Sequence, residues 1–254
     1  MKEFILEVCA DSVESVLAGE QGGATRVELC GNLIIGGTTP SPKLFEEIRR
    51  RSAIPIHVLI RPRFGDFCYT EYEYSIMKEE VRMFRELGAE GIVIGVLKAE
   101  GTLNMEAMYG LLSEAEGMSA TLHRAFDLCE DPLKELKQAI SLEMDTILTS
   151  GQKNLCIQGA ALLKELKEKS LERICIQAGG GVNAGVIPSL YRVSGVKAYH
   201  MSGKALLDSA MSYRKAEVNM GLPSFSEYTV YRTSEEEIRK ARQVLENLQE
   251  DTET

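Results

Sequence analysis

Short apolar, β-branched runs alternate along the chain with stretches that carry helical spacing or helix-capping side chains. The runs lie at Phe4–Cys9, Arg26–Cys30, Ile56–Arg61, Gly91–Leu97, Ala120–Arg124, Thr146–Ser150, Arg173–Ala178 and Ala198–Ser202. Between them, apolar residues at 76, 77, 81, 84 and 87 form a helical stripe. Ala161–Leu166 and Ile187–Val193 continue the pattern. Asp11 with Glu14 reads as a capping pair, and Ser41-Pro42 and Asp131-Pro132 each set a capping side chain before a proline suited to the first helical position. A capping box at Ser234–Glu237 opens a last, charge-rich helix over 234–249.

Strands that alternate with helices predict parallel pairing through helical crossovers. Eight such units in 254 residues predict an α/β fold of the closed (β/α)8 type, a TIM barrel, over an open doubly wound sheet. No Gly/Ser linker or break in composition divides the chain, so 1–254 reads as a single domain. The segment 218–233 reads as an irregular arm, resting on its own barrel or on a neighbouring subunit.

In this fold the C-terminal ends of the strands build the active site. Strands one and two end alike, in Glu7-Val8-Cys9 and Glu28-Leu29-Cys30, with Glu and Cys on one side of each strand. Two inward carboxylates on adjacent strands cost several kcal/mol (~3–5) unless cations satisfy them. Arg61 and Arg63, after strand three, are the cations expected to do so if the cluster is only a structural plug. Strand five ends in His123-Arg124-Ala125-Phe126-Asp127, which suggests His123 as a general acid paired with Asp127. His57, at the start of strand three, reads as a core residue, whereas His200 ends strand eight. Gly179, Gly180 and Gly181 follow strand seven, and Ser202 and Gly203 follow strand eight, the two loops that often form a phosphate site. With Arg61, Arg63 and Arg124 as anion anchors and Glu7 or Glu28 as general base, the mouth reads as an isomerase- or lyase-type site for a small phosphorylated or carboxylated metabolite. No G-x-G-x-x-G follows the first strand, so dinucleotide hydride transfer fits poorly. A scaffold protein with a vestigial site is a further reading.

Charge and cysteine content narrow the setting. With 29 basic and 38 acidic side chains the net charge is −9, a poor match for nucleic acid, which needs a basic stripe. No apolar stretch is long enough to span a membrane, and the N-terminal run is broken by Glu7, so neither membrane partner nor leader is expected. The six cysteines are widely spaced, with no C-x-x-C pair, which fits reduced thiols in the cytoplasm.

Seven stretches carry a family resemblance: EVCADSVES (7–15), GGATRVELCGNLIIGGTTPS (22–41), IRPRFGDFCY (60–69), HRAFD (123–127), ILTSG (147–151), GGGV (179–182) and YHMSG (199–203). Together they resemble the CutC family of copper homeostasis proteins. The resemblance implies a (β/α)8 fold, a homo-oligomer (dimer or tetramer) and a role in copper handling with Cu(I) binding. On that reading Cys9 and Cys30 would offer two thiolate ligands to the soft ion, with Cys68 the nearest further thiol.

Overall fold

The computed structural model describes residues 4–215, 217–220 and 225–253. Eight parallel strands close into a barrel in sequence order: β1 (Ile5–Ala10), β2 (Arg26–Leu29), β3 (Ile56–Leu59), β4 (Gly91–Ile94), β5 (Ser119–Leu122), β6 (Thr146–Thr149), β7 (Cys175–Ala178) and β8 (Ala198–Met201). β8 pairs back onto β1, with Leu6 opposite Tyr199 and Glu7 opposite His200. Around them run α1 (Val13–Gln21), α2 (Pro42–Arg49), α3 (Glu71–Glu86), α4 (Met105–Glu114), α5 (Pro132–Ser141), α6 (Ala160–Ser170), α7 (Ile187–Ser194) and α8 (Glu235–Glu253). Among the described residues, no helix is long and apolar enough to cross a membrane.

The strand period of two explains the layering. Leu6, Val8, Val27, Leu29, Ile56 and Val58 face outward and join the helices in one continuous apolar core. The intervening residues face the barrel axis. Strand register sorts them into layers contributed by alternate strands, as expected for eight tilted strands. Glu7, His57, Thr121 and Gln177 form one layer, and Glu28, Val93, Leu148 and His200 the next. Cys9, Leu59, His123 and Gly179 lie above these, nearest the C-terminal mouth.

Local signals set the helix ends. Ser41 and Asp131 cap α2 and α5 as their sequence positions suggest. At α1 the cap is Ser12, whose hydroxyl accepts from Ser15 N; Asp11 instead accepts the Leu33 amide at 3.1 Å. The box at the start of α8 is half formed. Ser234 accepts from Glu237 N at 3.4 Å, but the Glu237 carboxylate pairs with Lys240 and Ser234 N donates to Gly203 O. The segment read as an irregular arm has a strand at its end. β10 (Thr229–Thr233) pairs antiparallel with β9 (Lys204–Asp208), and Tyr231 of this ribbon reaches the barrel mouth. Residues 221–224 of that arm lie outside the described residues.

Gly91 lies inside the barrel, and a Cβ there would sit 2.7 Å from the His57 ring. Gly91→Ala is expected to lower stability by about 1–3 kcal/mol through overpacking, read as a lower urea midpoint at unchanged slope.

Candidate active site at the barrel mouth

The C-terminal ends of the strands surround a cavity of about 690 Å³, a size suited to a metabolite. Its floor is set by one buried carboxylate. Glu7 accepts from His200 Nδ1 at 2.7 Å and from Gln177 Nε2 at 2.9 Å on one oxygen, and the Arg26 guanidinium pairs with the other. Arg26 also donates to Gln177 Oε1 at 3.0 Å. Register brings these groups together, since Arg26 and His200 are the direct neighbours of Glu7 on either side. The cation for Glu7 is therefore Arg26, from the start of β2, and not Arg61 or Arg63. Burial alone would push the Glu7 carboxyl up, but Arg26 and the bonded, charged His200 override it and hold Glu7 well below the ordinary carboxylate range.

Glu28 lies one layer higher and lines the cavity. One of its oxygens, Oε2, is buried without a partner. Burial, helped by the charge on Glu7, pushes its carboxyl up to about 7 against the pull of His200 and Arg26. Burial opposes a charge on His200, yet Cys9, Glu28 and hydrogen bonds to Cys9 and Glu7 raise it well above an ordinary histidine. The cavity thus holds a carboxyl that can gain or lose a proton near neutrality, beside an imidazolium.

The remaining predicted residues divide into two groups. Arg61, His123, Arg124, Asp127, Gly180, Gly181, Ser202 and Cys9 line the same cavity as Glu28. Arg63 does not; it pairs with Asp66 and Glu73 on the outside of the loop after β3. Asp127 does not pair with His123. It accepts from Arg124 at 2.7 Å, from the Thr149 and Ser150 hydroxyls and from the Ser150 and Gln152 amides, so it anchors Arg124 and the loop after β6. His123 Nδ1 accepts instead from Ala125 N at 3.1 Å. Burial and the Arg61 charge push that ring down to about 3, so at neutral pH it is a neutral N–H donor and no imidazolium acid. His57 is also neutral, pushed down to about 4 by burial and Arg26.

Gly180 and Gly181 have φ of +91° and +77°, left-handed values that favour glycine, and Gly180 stands beside the Arg124 guanidinium. Among the described residues, their amides donate to no protein acceptor. Gly203 serves packing instead: a Cβ there would strike Ile238 of α8 at 2.5 Å. Lys204 of β9 also lines the cavity, over the Tyr231 ring. Arg26, Gln177 and Lys204 join the site without a motif that marks them in the sequence. The signal for the first two was their inward phase, an even number of residues from Glu28 and from Gly179.

The sulfur atoms are divided as well. Cys9 and Met201 line the cavity. Cys30 is fully buried with Leu59 and Val93, and its thiol donates to Ala10 O at 3.6 Å. Burial, then Cys9 and Glu28, raises the Cys30 thiol well above its ordinary range, which disfavours a thiolate ligand. Cys68 is exposed, outside the mouth. Glu7, Glu28 and His200 offer atoms within 4.8 Å of one another, but this is a hard oxygen and imidazole set whose Glu7 is already committed to Arg26. The donors facing the cavity therefore match a two-thiolate Cu(I) site only in part.

These features define an eight-stranded parallel barrel with an ionisable, cation-lined mouth. The CutC family profile matches residues 4–205, and the chain belongs to that family. It is 42% identical over 225 residues to a family protein CutC of Bacteroides fragilis, covering 87% of this chain and 88% of that one. It is 37% identical over 246 residues to the human copper homeostasis protein cutC homolog, covering 96% and 90%. A crystal structure of a CutC protein from Streptococcus agalactiae superposes with a TM-score of 0.75 at 33% identity, covering 78% of this chain and 98% of that one.

Removing the cation tests the floor of the site. Arg26→Met leaves Glu7 buried without its guanidinium and is expected to cost about 3–5 kcal/mol at pH 7. Glu7's folded pKa is depressed, so its contribution is present above the ordinary carboxylate pKa and lost as pH falls. Urea titrations of parent and variant should therefore converge as the pH is lowered below about 4.

Proposed function

We propose that this CutC-family barrel binds a small phosphorylated or carboxylated metabolite at its mouth and moves a proton on it, as an isomerase- or lyase-type enzyme. One observation carries the reading: a single cavity joins an anion corner to an ionisable carboxyl. The corner is Arg124, Ser202, Lys204 and the amides of Gly180 and Gly181; the carboxyl is Glu28. Backbone donors at left-handed glycines accept a phosphate closely, and a guanidinium adds charge. Glu28, titrating near neutrality, suits general acid–base work, with the His200 imidazolium beside it as a fixed positive charge. The protein would act in the cytoplasm as a homo-oligomer.

The handling of Cu(I) as cargo is a second reading, favoured by the family and by Cys9, a soft sulfur that lines the cavity against His200.

Thermal shift tests the first reading. Inorganic phosphate at about a hundred times its dissociation constant should add roughly 2.7 kcal/mol and raise the melting temperature by several degrees. Arg124→Ala and Gly180→Ala should blunt the shift. A melting temperature indifferent to phosphate and to a panel of phosphorylated and carboxylated metabolites would remove this reading.

Competition with a Cu(I) chelator tests the second. The reduced parent should hold the ion at least about tenfold more tightly than a Cys9→Ser, Cys30→Ser double variant, a difference of about 1.4 kcal/mol. Equal retention by both proteins rules out a thiolate site at these positions.

A further inference from the structure

Two buried donors at the mouth have no acceptor. Arg61 ties its terminal nitrogens to three carbonyls: Nη1 donates to Gly36 O at 3.2 Å and Gly37 O at 3.1 Å, and Nη2 donates to Gly65 O at 2.9 Å. Its Nε is buried with no hydrogen-bond partner within range, the buried Tyr69 hydroxyl interacts with the guanidinium more loosely, and among the described residues Arg61 forms no ion pair. On His123, Nδ1 accepts the Ala125 amide, which places the proton of the neutral ring on Nε2. That Nε2 is likewise buried without a partner. One aromatic ring lies against both groups. Phe67 is 4.9 Å from the Arg61 guanidinium and 4.8 Å from the His123 ring centroid. All three residues line the cavity.

We infer that Arg61 Nε and His123 Nε2 form a subsite for an oxygen acceptor of the ligand, a carbonyl or carboxylate, separate from the phosphate corner at Arg124 and Gly180. The inference rests on the reading of the mouth as a small-anion site and deepens it. The ligand then carries two acceptor groups, an anion at the corner and a carbonyl-type oxygen at this pair. Buried polar groups in folded proteins almost always have a hydrogen-bond partner, so two unpartnered donors beside one cavity point to a ligand atom. The chemistry fits. A guanidinium and a neutral imidazole N–H both donate, and neither requires a proton to leave the protein when negative charge gathers on the oxygen. Both donor atoms are buried and the Phe67 ring packs on both groups, so seating the ligand oxygen requires that ring to move aside.

NMR of the full 15N-labelled chain tests this with three probes: inorganic phosphate, glycolate and 2-phosphoglycolate. Phosphoglycolate should move the Gly180 and Gly181 amides together with the His123 Nε2 resonance, whereas phosphate should move the glycine amides alone. In His123→Asn the shorter side chain can still accept the Ala125 amide but cannot reach the subsite. It should weaken phosphoglycolate at least about tenfold and leave phosphate within about twofold. Arg61→Lys, which keeps the charge and loses the Nε donor, should do the same. If phosphoglycolate moves the glycine amides while His123 Nε2 stays still in the parent, the subsite is wrong and the anion site stands. If none of the three probes binds, both are overturned.

Discussion

The Glu7 carboxylate, buried where the barrel closes, is the constraint on which the site depends. An ionised carboxyl at this depth is tolerable only when cations and donors satisfy it. Here the partners come from β2, β7 and β8, so the same contacts that neutralise the charge tie the last two strands to the first two. The pairing also fixes the His200 ring, because Nδ1 is committed to Glu7 and the opposite edge turns toward Cys9 and Glu28. Orientation of an imidazole by a carboxylate is a general way to give one nitrogen a defined role.

Commitment of Arg26 and His200 to Glu7 decides what remains for the mouth. Glu28 lies too near the charge of Glu7 and has no guanidinium of its own, so its carboxyl is pushed up into the neutral range. Arg61 and Arg124 are left facing the cavity, one bound to loop carbonyls and the other steered by Asp127. A chain with net charge −9 thus gathers Arg61, Arg124 and Lys204 at one end of its barrel, where only Arg124 of the three is held in an ion pair among the described residues. Its acids lie mainly on the helices, many in i,i+3 and i,i+4 pairs such as Arg82 with Glu79 and Lys240 with Glu236.

The barrel was legible because its information is local. The switch from period two to period 3.6 repeats eight times, and Ser41-Pro42 and Asp131-Pro132 mark helix starts without help from distant residues. The inward phase of Glu7, Cys9 and Glu28 followed from alternation alone. What escaped was set by contacts distant in sequence. Arg26 begins its strand, far from the expected active end, and only its length carries it up to Glu7. Gly203 looked like part of a phosphate loop, but α8 returns over it from thirty-odd residues later and takes its space. Asp11 and Ser12 are equally able to cap α1; the Leu33 amide, brought over by the loop after β2, draws Asp11 away. Cys30 sits on the predicted side of its strand, yet the segment through Gly37 folds over it and closes it off from the cavity.

The two readings of the mouth make opposite electrostatic demands. A soft cation needs thiolates, and a thiolate at Cys30 would have to form among Leu59, Val93 and the nearby carboxylates, which burial and like charge both oppose. It would also bring positive charge toward Arg61 and Arg124. An anion meets the reverse conditions: both guanidiniums, Lys204 and the glycine amides favour it, and the neutral His123 ring adds a donor without adding a charge to be desolvated. At an effective dielectric of about 20, each unit charge about 5 Å away contributes on the order of 3 kcal/mol, so the sign of the ligand's charge outweighs any single soft-donor contact. Cys9 therefore belongs to a metal site more readily when Glu28 gives up its proton and helps to offset the guanidiniums. Burial opposes that deprotonation and holds the Glu28 carboxyl up to about 7.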